Sequence, residues 1–265
     1  WPPAWMSDGQ RPVVRLSLAL NHLAGGLDPV GYHAFNLVVH ASAAVLVLLV
    51  VREGGRRLAD RGIVADSSRR RLIVAAAVAL IWALHPVQTS TTTYVIQRAE
   101  SLAGFFSLLA VYGLLRGDRV NRLATGTIVV VSVVLALGSK PSAVVLPAML
   151  LVVDWAVVTG SLRDTLRRRG RLHLAAWACL LLLFATGAVA SLLRSEGIAG
   201  VGFTRAGSTP FEYAASQLSA AAVYARIVFD ASAMSIDHGP EALQPGWTRP
   251  VGVAIIVTLL GLAIG

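Results

Sequence analysis

A polar stretch between two short apolar runs carries the residue types best suited to chemistry. It extends from His85 to Glu100 and contains Tyr94 and Arg98. Irregular polar backbone at membrane depth is tolerated only where it is buried in protein or lines a water-filled cavity. We therefore expect Arg98 to present a fixed cation to an anionic lipid headgroup, and Glu100 to orient that cation or act on a substrate. The alternative is a solvated loop in which Arg98 pairs with Glu100.

A second cation follows in a tight turn between two apolar runs. Lys140, the only lysine in the chain, lies in the sequence GSKPS. A lone lysine at the end of a membrane helix often extends its ammonium group to the interface. On the same side of the membrane as Arg98, it could instead complete a two-point clamp on a phosphate group. The sequence leaves both interpretations open.

Three polar residues share one face of an otherwise apolar helix. His33, Asn36 and His40 fall at positions i, i+3 and i+7, which places them on one side of an α-helix. They could form the wall of a substrate cavity or make hydrogen bonds between helices. Since no third ligand type is nearby, we predict no metal site here.

The arginines indicate how these residues are positioned. Of the 23 basic residues, 15 fall in three gaps between apolar stretches, at 52–71, 116–122 and 160–171. Lys and Arg in short loops are retained on the cytoplasmic side. The pattern predicts a multi-pass protein of the plasma (inner) membrane with these gaps in the cytoplasm. The segments predicted to be extracytoplasmic are 1–30, 87–100 and 194–249.

The composition excludes several classes of protein. With 55% hydrophobic and 14% charged residues and a mean hydropathy of +0.68, the chain is outside the range of soluble globular proteins. Loop arginines that face anionic headgroups explain the formal charge of +9, so we expect membrane lipids as partners and no nucleic acid. Cys179 is the only cysteine, which excludes a disulfide framework or a cysteine-based metal site within this sequence.

The predicted fold class is all-α, a multi-pass transmembrane helical bundle of about seven spans. The candidate spans are 31–51, 72–86, 101–116, 123–139, 142–159, 172–193 and 250–265. The second and third are shorter than the roughly 20 residues that a crossing helix needs. Asp154, near the inner end of its span, is expected to pair with Arg163 or a neighbouring arginine in a structural role. We expect both ends of the sequence to be internal to a longer protein.

The spans divide the chain into four parts. These are an outer segment, a six-span bundle, an outer loop and a truncated seventh span, at 1–30, 31–193, 194–249 and 250–265. In the outer loop, residues 211–229 predict an amphipathic helix that follows Pro210, a residue suited to the first turn of a helix. Such a helix is expected to lie along the membrane plane.

Five motifs in order resemble one family. They are Arg11-Pro12 with Leu16–Asn21; Gly31-Tyr32-His33 with Asn36 and His40; His85-Pro86 with Thr89, Tyr94, Gln97 and Arg98; Ser139-Lys140 and Leu146-Pro147 with Asp154; and Gln217, Tyr224, Arg226 and Ser235–His238. Their order and spacing resemble the membrane portion of bacterial tetratricopeptide-repeat membrane proteins. Those proteins are similar to the transmembrane and tetratricopeptide-repeat O-mannosyltransferases.

The resemblance implies a GT-C fold with a catalytic cavity that faces outward. It implies a polyprenyl-phosphate-linked sugar, often mannose, as donor, and a Ser or Thr hydroxyl of a protein as acceptor. The candidates for binding the donor phosphate are Arg98, Lys140, Arg11 and Arg226. The pocket would be lined by His33, Asn36, His40, His85, Tyr94, Glu100, Gln217, Tyr224 and Asp237. No cofactor is predicted, and the sequence leaves a divalent metal requirement open.

The sequence departs from the family pattern in three places. The family's acidic catalytic motif follows its first membrane helix, a region expected to precede Trp1, and neither Asp8 nor Asp28 lies in such a motif. Ser90 stands where many relatives carry Glu, and Pro141 follows the lysine where a Glu is frequent. The general base is therefore unassigned.

The leading hypothesis is an inverting membrane glycosyltransferase. The absent acidic motif and Ser90 slightly favour a different class, a non-catalytic membrane anchor that presents a tetratricopeptide-repeat domain to periplasmic partners. A transporter would usually show inverted repeats or paired broken helices, and the sequence has no internal symmetry of that kind.

Overall fold

The computed structural model describes residues 11–65, 67–117, 121–185, 220 and 222–230, together with 253, 254 and 258. The chain forms two compact units, Trp1–Ala188 and Val189–Gly265. Among the described residues all regular secondary structure is helical. This confirms the predicted all-α, multi-pass fold class.

The first unit is a bundle of α-helices joined by short turns. The helices are α1 (Pro12–Gly25), α2 (Pro29–Asp60), α3 (Ser68–Leu84), α4 (Thr89–Thr93), α5 (Arg98–Arg116), α6 (Arg122–Ser139), α7 (Leu146–Val153) and α8 (Leu162–Ala185). Turns of 3-10 helix lie at Pro86–Gln88, Val95–Gln97 and Pro141–Val145, and a π-helical segment at Asp154–Thr159 extends α7.

Local sequence signals set the helix boundaries. The Asp28 side chain accepts a hydrogen bond from the Val30 amide at 3.0 Å and caps α2, and Asn121 caps α6 in the same way. Asp and Asn are favoured at this position because their oxygens satisfy amides that have no partner within the helix. Pro141 follows α6 directly, and proline disfavours helical backbone in the residue before it.

Three described helices are long and apolar enough to cross a membrane, Pro29–Asp60, Val95–Arg116 and Pro141–Thr159. A fourth span results if Ser68–Leu84 and Pro86–Thr93 count as one element bent by 53°. The bend lies where the polar stretch between the two shortest predicted spans begins. Leu123–Ser139 is apolar but shorter, and the predicted spans 172–193 and 250–265 lie partly outside the described residues.

Two apolar clusters hold the first unit together. The larger joins α5, α6, α7 and α8 through Leu114, Val129, Val133, Leu146 and Leu180, among others. The smaller joins α1, α2 and α5 through buried side chains that include Val14, Leu18, Val39 and Leu102. The second cluster surrounds the first turns of α5, where the candidate cation Arg98 lies.

Small residues allow close approach between helices, as is common in membrane bundles. A Cβ atom on Gly113 of α5 would lie 2.8 Å from Ile128 Cγ2 of α6, and one on Gly138 would lie 2.9 Å from Val13 Cγ2 of α1. The second contact brings the start of α1 to the end of α6. It therefore places Arg11 beside the turn that carries Lys140.

In the second unit, residues 222–229 are helical. They lie within the segment predicted as an amphipathic helix, whose other residues are mostly outside the described part of the chain. Ala222 and Ile227 are buried, whereas Tyr224 and Phe229 are exposed.

Candidate functional site

Arg98 is the central residue of the candidate site and is completely buried, with 0% of its surface exposed. Its guanidinium group donates hydrogen bonds to oxygen atoms on two other helices. The acceptors are Asn36 Oδ1 at 2.9 Å, Asn21 Oδ1 at 2.6 Å, Tyr32 O at 3.0 Å and Ser17 Oγ at 3.5 Å. The side chain therefore links α5 to α1 and α2.

Aromatic rings complete the surroundings of this cation. The Arg98 Cζ atom lies 4.3 Å from the centre of the Phe35 ring and 5.6 Å from that of Tyr32. Ring faces attract cations because their π-electrons are negative. No carboxylate pairs with Arg98 within the described ranges, so amide and carbonyl oxygens and ring faces stabilise its charge. The Asn36 Nδ2 atom beside it is buried without a hydrogen-bond partner.

A second cationic group lies at the same end of the bundle. Lys140 Nζ makes an ion pair with Glu100, and 27% and 43% of the two side-chain surfaces are exposed. Burial and, next, the nearby charge of Arg11 lower the pKa of Lys140 from its ordinary value, while the Glu100 carboxylate acts in the opposite direction. Arg11 is itself exposed. Lys140 thus has the Glu100 carboxylate and the Arg11 cation near it. Glu100 lies on α5, two residues after Arg98.

A small cleft adjoins this group, with a volume of about 70 Å³. It is lined by His40, Ala43, Trp82, Gln88, Thr91, Glu100, Ser101, Gly104 and Phe105. His40 Nε2 lies 3.0 Å from the Ala83 carbonyl oxygen, and its ring stacks on Trp82 with a centroid distance of 5.1 Å. Glu100 therefore faces both the cleft and Lys140.

The other predicted pocket residues of the first unit lie in different surroundings. His33 is exposed, one helical turn from the buried Asn36. Tyr94 is 59% exposed. His85 is half-buried, and its Nδ1 atom accepts a hydrogen bond from the Val87 amide at 3.2 Å, which caps the following 3-10 turn.

The predicted site residues of the second unit are described only in part. Arg226 makes an exposed ion pair with Asp230 at 3.5 Å, one helical turn away. Tyr224 is 69% exposed on the same helix. Gln217 and Asp237 lie outside the described residues.

A buried polar cluster at the opposite end of α5 was only partly expected. Asp154 is 0% exposed, and its two oxygens contact Arg169 Nη1 at 3.1 Å and His173 Nε2 at 2.8 Å. The arginine partner agrees with the expectation of a neighbouring arginine, whereas His173 was missed. A buried carboxylate in an apolar run demands partners, but the sequence alone does not show which residues of α8 supply them.

Arginines also satisfy the last carbonyl groups of α5. Arg169 Nη1 donates to Leu114 O at 3.1 Å, and Arg57 Nε and Nη2 donate to Leu115 O at 2.8 and 2.5 Å. The final carbonyls of a helix have no partner within it and carry partial negative charge. These two arginines therefore fix the C-terminal end of α5.

In the part of the chain that the structure describes, no group of three His, Cys, Asp or Glu side chains is placed to hold a metal ion. The described side chains at the candidate site supply cations, a carboxylate and neutral polar groups. Such a set can bind an anion and a hydroxyl group next to each other.

Comparison with known proteins supports the resemblance inferred from the motifs. Protein O-mannosyl-transferase TMTC4 of Homo sapiens is 34% identical over 112 residues, which cover 41% of this chain and 15% of the relative. Protein O-mannosyl-transferase Tmtc3 of Drosophila melanogaster is 39% identical over 106 residues, 38% of this chain and 11% of the relative. Its counterpart TMTC3 of Mus musculus is 35% identical over 100 residues, 38% and 9% of the two chains.

The chain thus spans 15% or less of the length of these relatives. No family model and no solved structure matches it. The helices that could cross a membrane and the names of the relatives agree with each other. The chain is a helical membrane protein with a segment similar to protein O-mannosyl-transferases.

Proposed function

We propose that the protein transfers a sugar, mannose, from a polyprenyl-phosphate donor to Ser or Thr hydroxyls of an acceptor protein. The transfer takes place on the extracytoplasmic side of the membrane. The names of the relatives support the reaction class. The observation that carries the proposal is the position of Lys140, paired with Glu100 and close to Arg11, at the end of the bundle where Arg98 is buried.

Cations at this position suit the chemistry of the leaving group. The donor is a phosphodiester with one negative charge, and the departing polyprenyl phosphate is a monoester that gains a second one. A cation that interacts more strongly with the growing charge stabilises the transition state more than the ground state. Lys140 and Arg11 would supply that stabilisation. The resemblance implies that the general base belongs to an acidic motif, which is separate from Lys140 and Arg11.

Arg98 was also predicted to bind the phosphate, and its surroundings specify how it would contribute. Since its guanidinium group is enclosed by acceptors on α1 and α2, it would act on the phosphate through its field and by fixing those helices. A buried cation is worth more electrostatically than an exposed one because the surrounding dielectric constant is low.

The proposal is tested by sugar transfer in the full-length protein with Lys140→Gln, Lys140→Arg and Arg11→Gln. The matched control is Arg52→Gln, an exposed arginine on the distal part of α2. Loss of one charge-stabilising donor lowers kcat by about 10²–10³-fold in a fully enclosed site, so a half-buried Lys140 is expected to contribute roughly 10–100-fold. Lys140→Arg should retain more activity than Lys140→Gln. Transfer at the wild-type rate by a folded Lys140→Gln protein would refute the assignment.

The orientation in the membrane is tested by labelling single cysteines in a Cys179→Ala background. Thr93→Cys and Arg163→Cys place exposed thiols at opposite ends of the bundle. A membrane-impermeant maleimide added outside intact cells is expected to label the first and not the second. The reverse pattern would overturn the proposed sidedness.

A second candidate function is the non-catalytic membrane anchor for a repeat domain. The complete enclosure of Arg98 favours it, because a residue whose charge is used to join three helices can be retained for structure alone. This function predicts that Lys140→Gln and Arg11→Gln leave polyprenyl phosphate binding unchanged.

A further inference from the structure

We propose that Glu100 competes with anionic ligands for Lys140, and that anion binding releases its carboxylate into the adjacent cleft to accept a hydroxyl group. The inference rests on the proposed function, because the anion is taken to be the donor phosphate. Beyond the cations already described, it proposes that the Glu100 carboxylate changes partner. It also proposes that a hydroxyl-bearing group binds in the cleft.

The ion pair between Lys140 and Glu100 is suited to exchange. Both side chains are in part open to solvent, at 27% and 43% exposed, and ion pairs in such surroundings contribute only about 0–1 kcal/mol. Arg11 adds a second positive charge that already influences Lys140. A phosphate group with one or two negative charges can interact with both cations, whereas Glu100 provides a single charge. An incoming phosphate therefore displaces the carboxylate at little cost.

The released carboxylate already lines the cleft on its other side. Within the cleft, the Ser101 hydroxyl donates to Thr91 O at 3.1 Å, and the Thr91 hydroxyl donates to Gln88 O at 2.7 Å. These two hydroxyl hydrogens are therefore in use. Glu100, freed from Lys140, would be an acceptor open to a donor that enters the cleft.

His40 adds a second acceptor to the cleft. Its Nε2 atom contacts the carbonyl oxygen of Ala83 at 3.0 Å. Because a carbonyl can only accept, the neutral ring must carry its proton on Nε2, and Nδ1 is left with a lone pair. Two acceptors on α2 and α5 thus favour a ligand that donates, such as an alcohol O–H.

The size of the cleft restricts the ligand further. Its volume of about 70 Å³ is several-fold below the about 300–1,000 Å³ of pockets that hold a whole ligand. The space suits a hydroxyl-bearing side chain better than a complete sugar ring. The cleft is therefore a site for the acceptor hydroxyl, and the sugar would lie outside it.

Exchange of Glu100 links the two ligands energetically. A phosphate at Lys140 makes the carboxylate available, and a hydroxyl group that binds the carboxylate weakens its competition for Lys140. Coupling of this kind is reciprocal by thermodynamic necessity. Donor binding is thus expected to strengthen acceptor binding, and acceptor binding to strengthen donor binding by the same factor.

The test is a double-mutant cycle on binding of a short-chain polyprenyl phosphate to the full-length protein in detergent. The variants are Glu100→Gln, Lys140→Gln and the double variant, with Asp164→Asn at the other end of the bundle as the matched control. Glu100→Gln removes a carboxylate whose ion pair with Lys140 contributes about 0–1 kcal/mol. The variant should therefore bind the polyprenyl phosphate about two- to fivefold more tightly. The same change in the Lys140→Gln background should have no effect. Glu100→Ala, which also vacates Lys140, should change affinity in the same direction.

Kinetics test the second half of the inference. Glu100→Gln is expected to lower KM for the donor and also to lower kcat, because the carboxylate is absent from the cleft. An unchanged kcat would overturn the role of Glu100 in the cleft, and unchanged or weaker phosphate binding in both Glu100 variants would overturn the competition. If Lys140→Gln itself binds phosphate like the wild type, the proposed function loses its cation and the inference fails with it. If only Lys140→Gln is impaired, the proposed function stands and this inference is wrong.

Discussion

Replacing Arg98 with methionine is expected to destabilise the first unit by about 3–5 kcal/mol, because it leaves three buried acceptors unsatisfied at about 1–3 kcal/mol each. Three strong acceptors, on Asn36, Asn21 and Tyr32, would lose a charged donor. A hydrogen bond to a charged group contributes about 1.5–3 kcal/mol, so their sum is an upper bound of roughly 4.5–9 kcal/mol. The variant avoids the cost of burying a guanidinium group, and methionine fills part of the space that the arginine leaves. Both effects reduce the net loss of stability.

The measurement is the apparent unfolding midpoint of the purified protein in detergent. For a unit of this size, each kcal/mol of lost stability lowers the unfolding midpoint by about 2–4 °C. Arg98→Met should therefore lower the midpoint by roughly 6–20 °C. Arg98→Lys keeps the charge but lacks the planar set of donors that reaches two helices, and should fall between Arg98→Met and the wild type. Arg116→Met, at the other end of α5, is the control. Among the described residues, its side chain makes one hydrogen bond, to Tyr112 at 3.3 Å, so its effect should be within about 1 kcal/mol.

An unchanged midpoint in Arg98→Met would refute the conclusion that this network joins α1, α2 and α5. A second comparison separates stability from ligand binding. If Arg98 acts chiefly on the phosphate through its charge, Arg98→Lys should retain clearly more activity than Arg98→Met when the two are compared at equal folded fraction. If it acts chiefly on the helices, activity at low temperature should recover in proportion to the folded fraction.

Three further predictions follow from other parts of the first unit. Asp154→Asn should destabilise the protein by about 3–5 kcal/mol because it leaves the cation of Arg169 without its carboxylate and the His173 ring without its partner, whereas Asp164→Asn should stay within about 0.5 kcal/mol of the wild type in the same unfolding assay. Gly113→Ala forces a contact between α5 and α6 and should cost about 1–3 kcal/mol, whereas Gly126→Ala, with no atom within 4 Å of the new Cβ, should stabilise its helix by up to about 1 kcal/mol. Because burial and a neighbouring cation lower the pKa of Lys140, phosphate binding measured across alkaline pH should be lost as pH rises through that lowered value, below the ordinary lysine range. Lys140→Arg should move the loss to higher pH, and an identical profile for both proteins would contradict the role of the ammonium group.

The overall fold class followed from the sequence because the bilayer imposes simple rules. Apolar runs of sufficient length predict helices, and their separation by arginine-rich gaps predicts which ends lie together. The structure places the start of α5 and the end of α6 at one end of the bundle, as Lys140 and Glu100 show by their ion pair. That arrangement is the one the alternating gaps imply.

The individual contacts of the candidate site did not follow from the sequence. Spacing alone put His33 and Asn36 on one helix face, yet one is exposed and the other is bonded to Arg98. The difference arises because α1 and α5 cover the second position and leave the first open. Likewise the hypothesis of a phosphate clamp puts Lys140 and Arg98 on one ligand but does not predict the ion pair between Lys140 and Glu100. Contacts between distant segments depend on helix packing, which periodicity does not specify.

The arginines illustrate the same distinction between charge pattern and structure. In the sequence, Arg57 and Arg169 are indistinguishable from Arg167 and Arg168, since all four lie in arginine-rich gaps. In the structure, the first two reach the terminal carbonyls of α5, and the other two are exposed. The arginine-rich gaps that predict cytoplasmic loops therefore also supply partners for the last carbonyl groups of a helix, and the packing decides which arginine does so.

The two ends of α5 are held in ways that bear on the exchange proposed for Glu100. Arg57 and Arg169 fix its C-terminal carbonyls, and Arg98 fixes its first turn to α1 and α2. With the backbone held on both sides, Glu100 can change partner only by rotating its side chain, since its neighbour Ala99 is buried.

Rotation of an exposed side chain occurs on the picosecond-to-nanosecond scale, far faster than the turnover of most enzymes. Exchange between Lys140 and the cleft would therefore remain at equilibrium throughout the catalytic cycle. The coupling between donor and acceptor should then appear in binding constants as well as in rates, and a coupling seen only in rates would argue for movement of the helix itself.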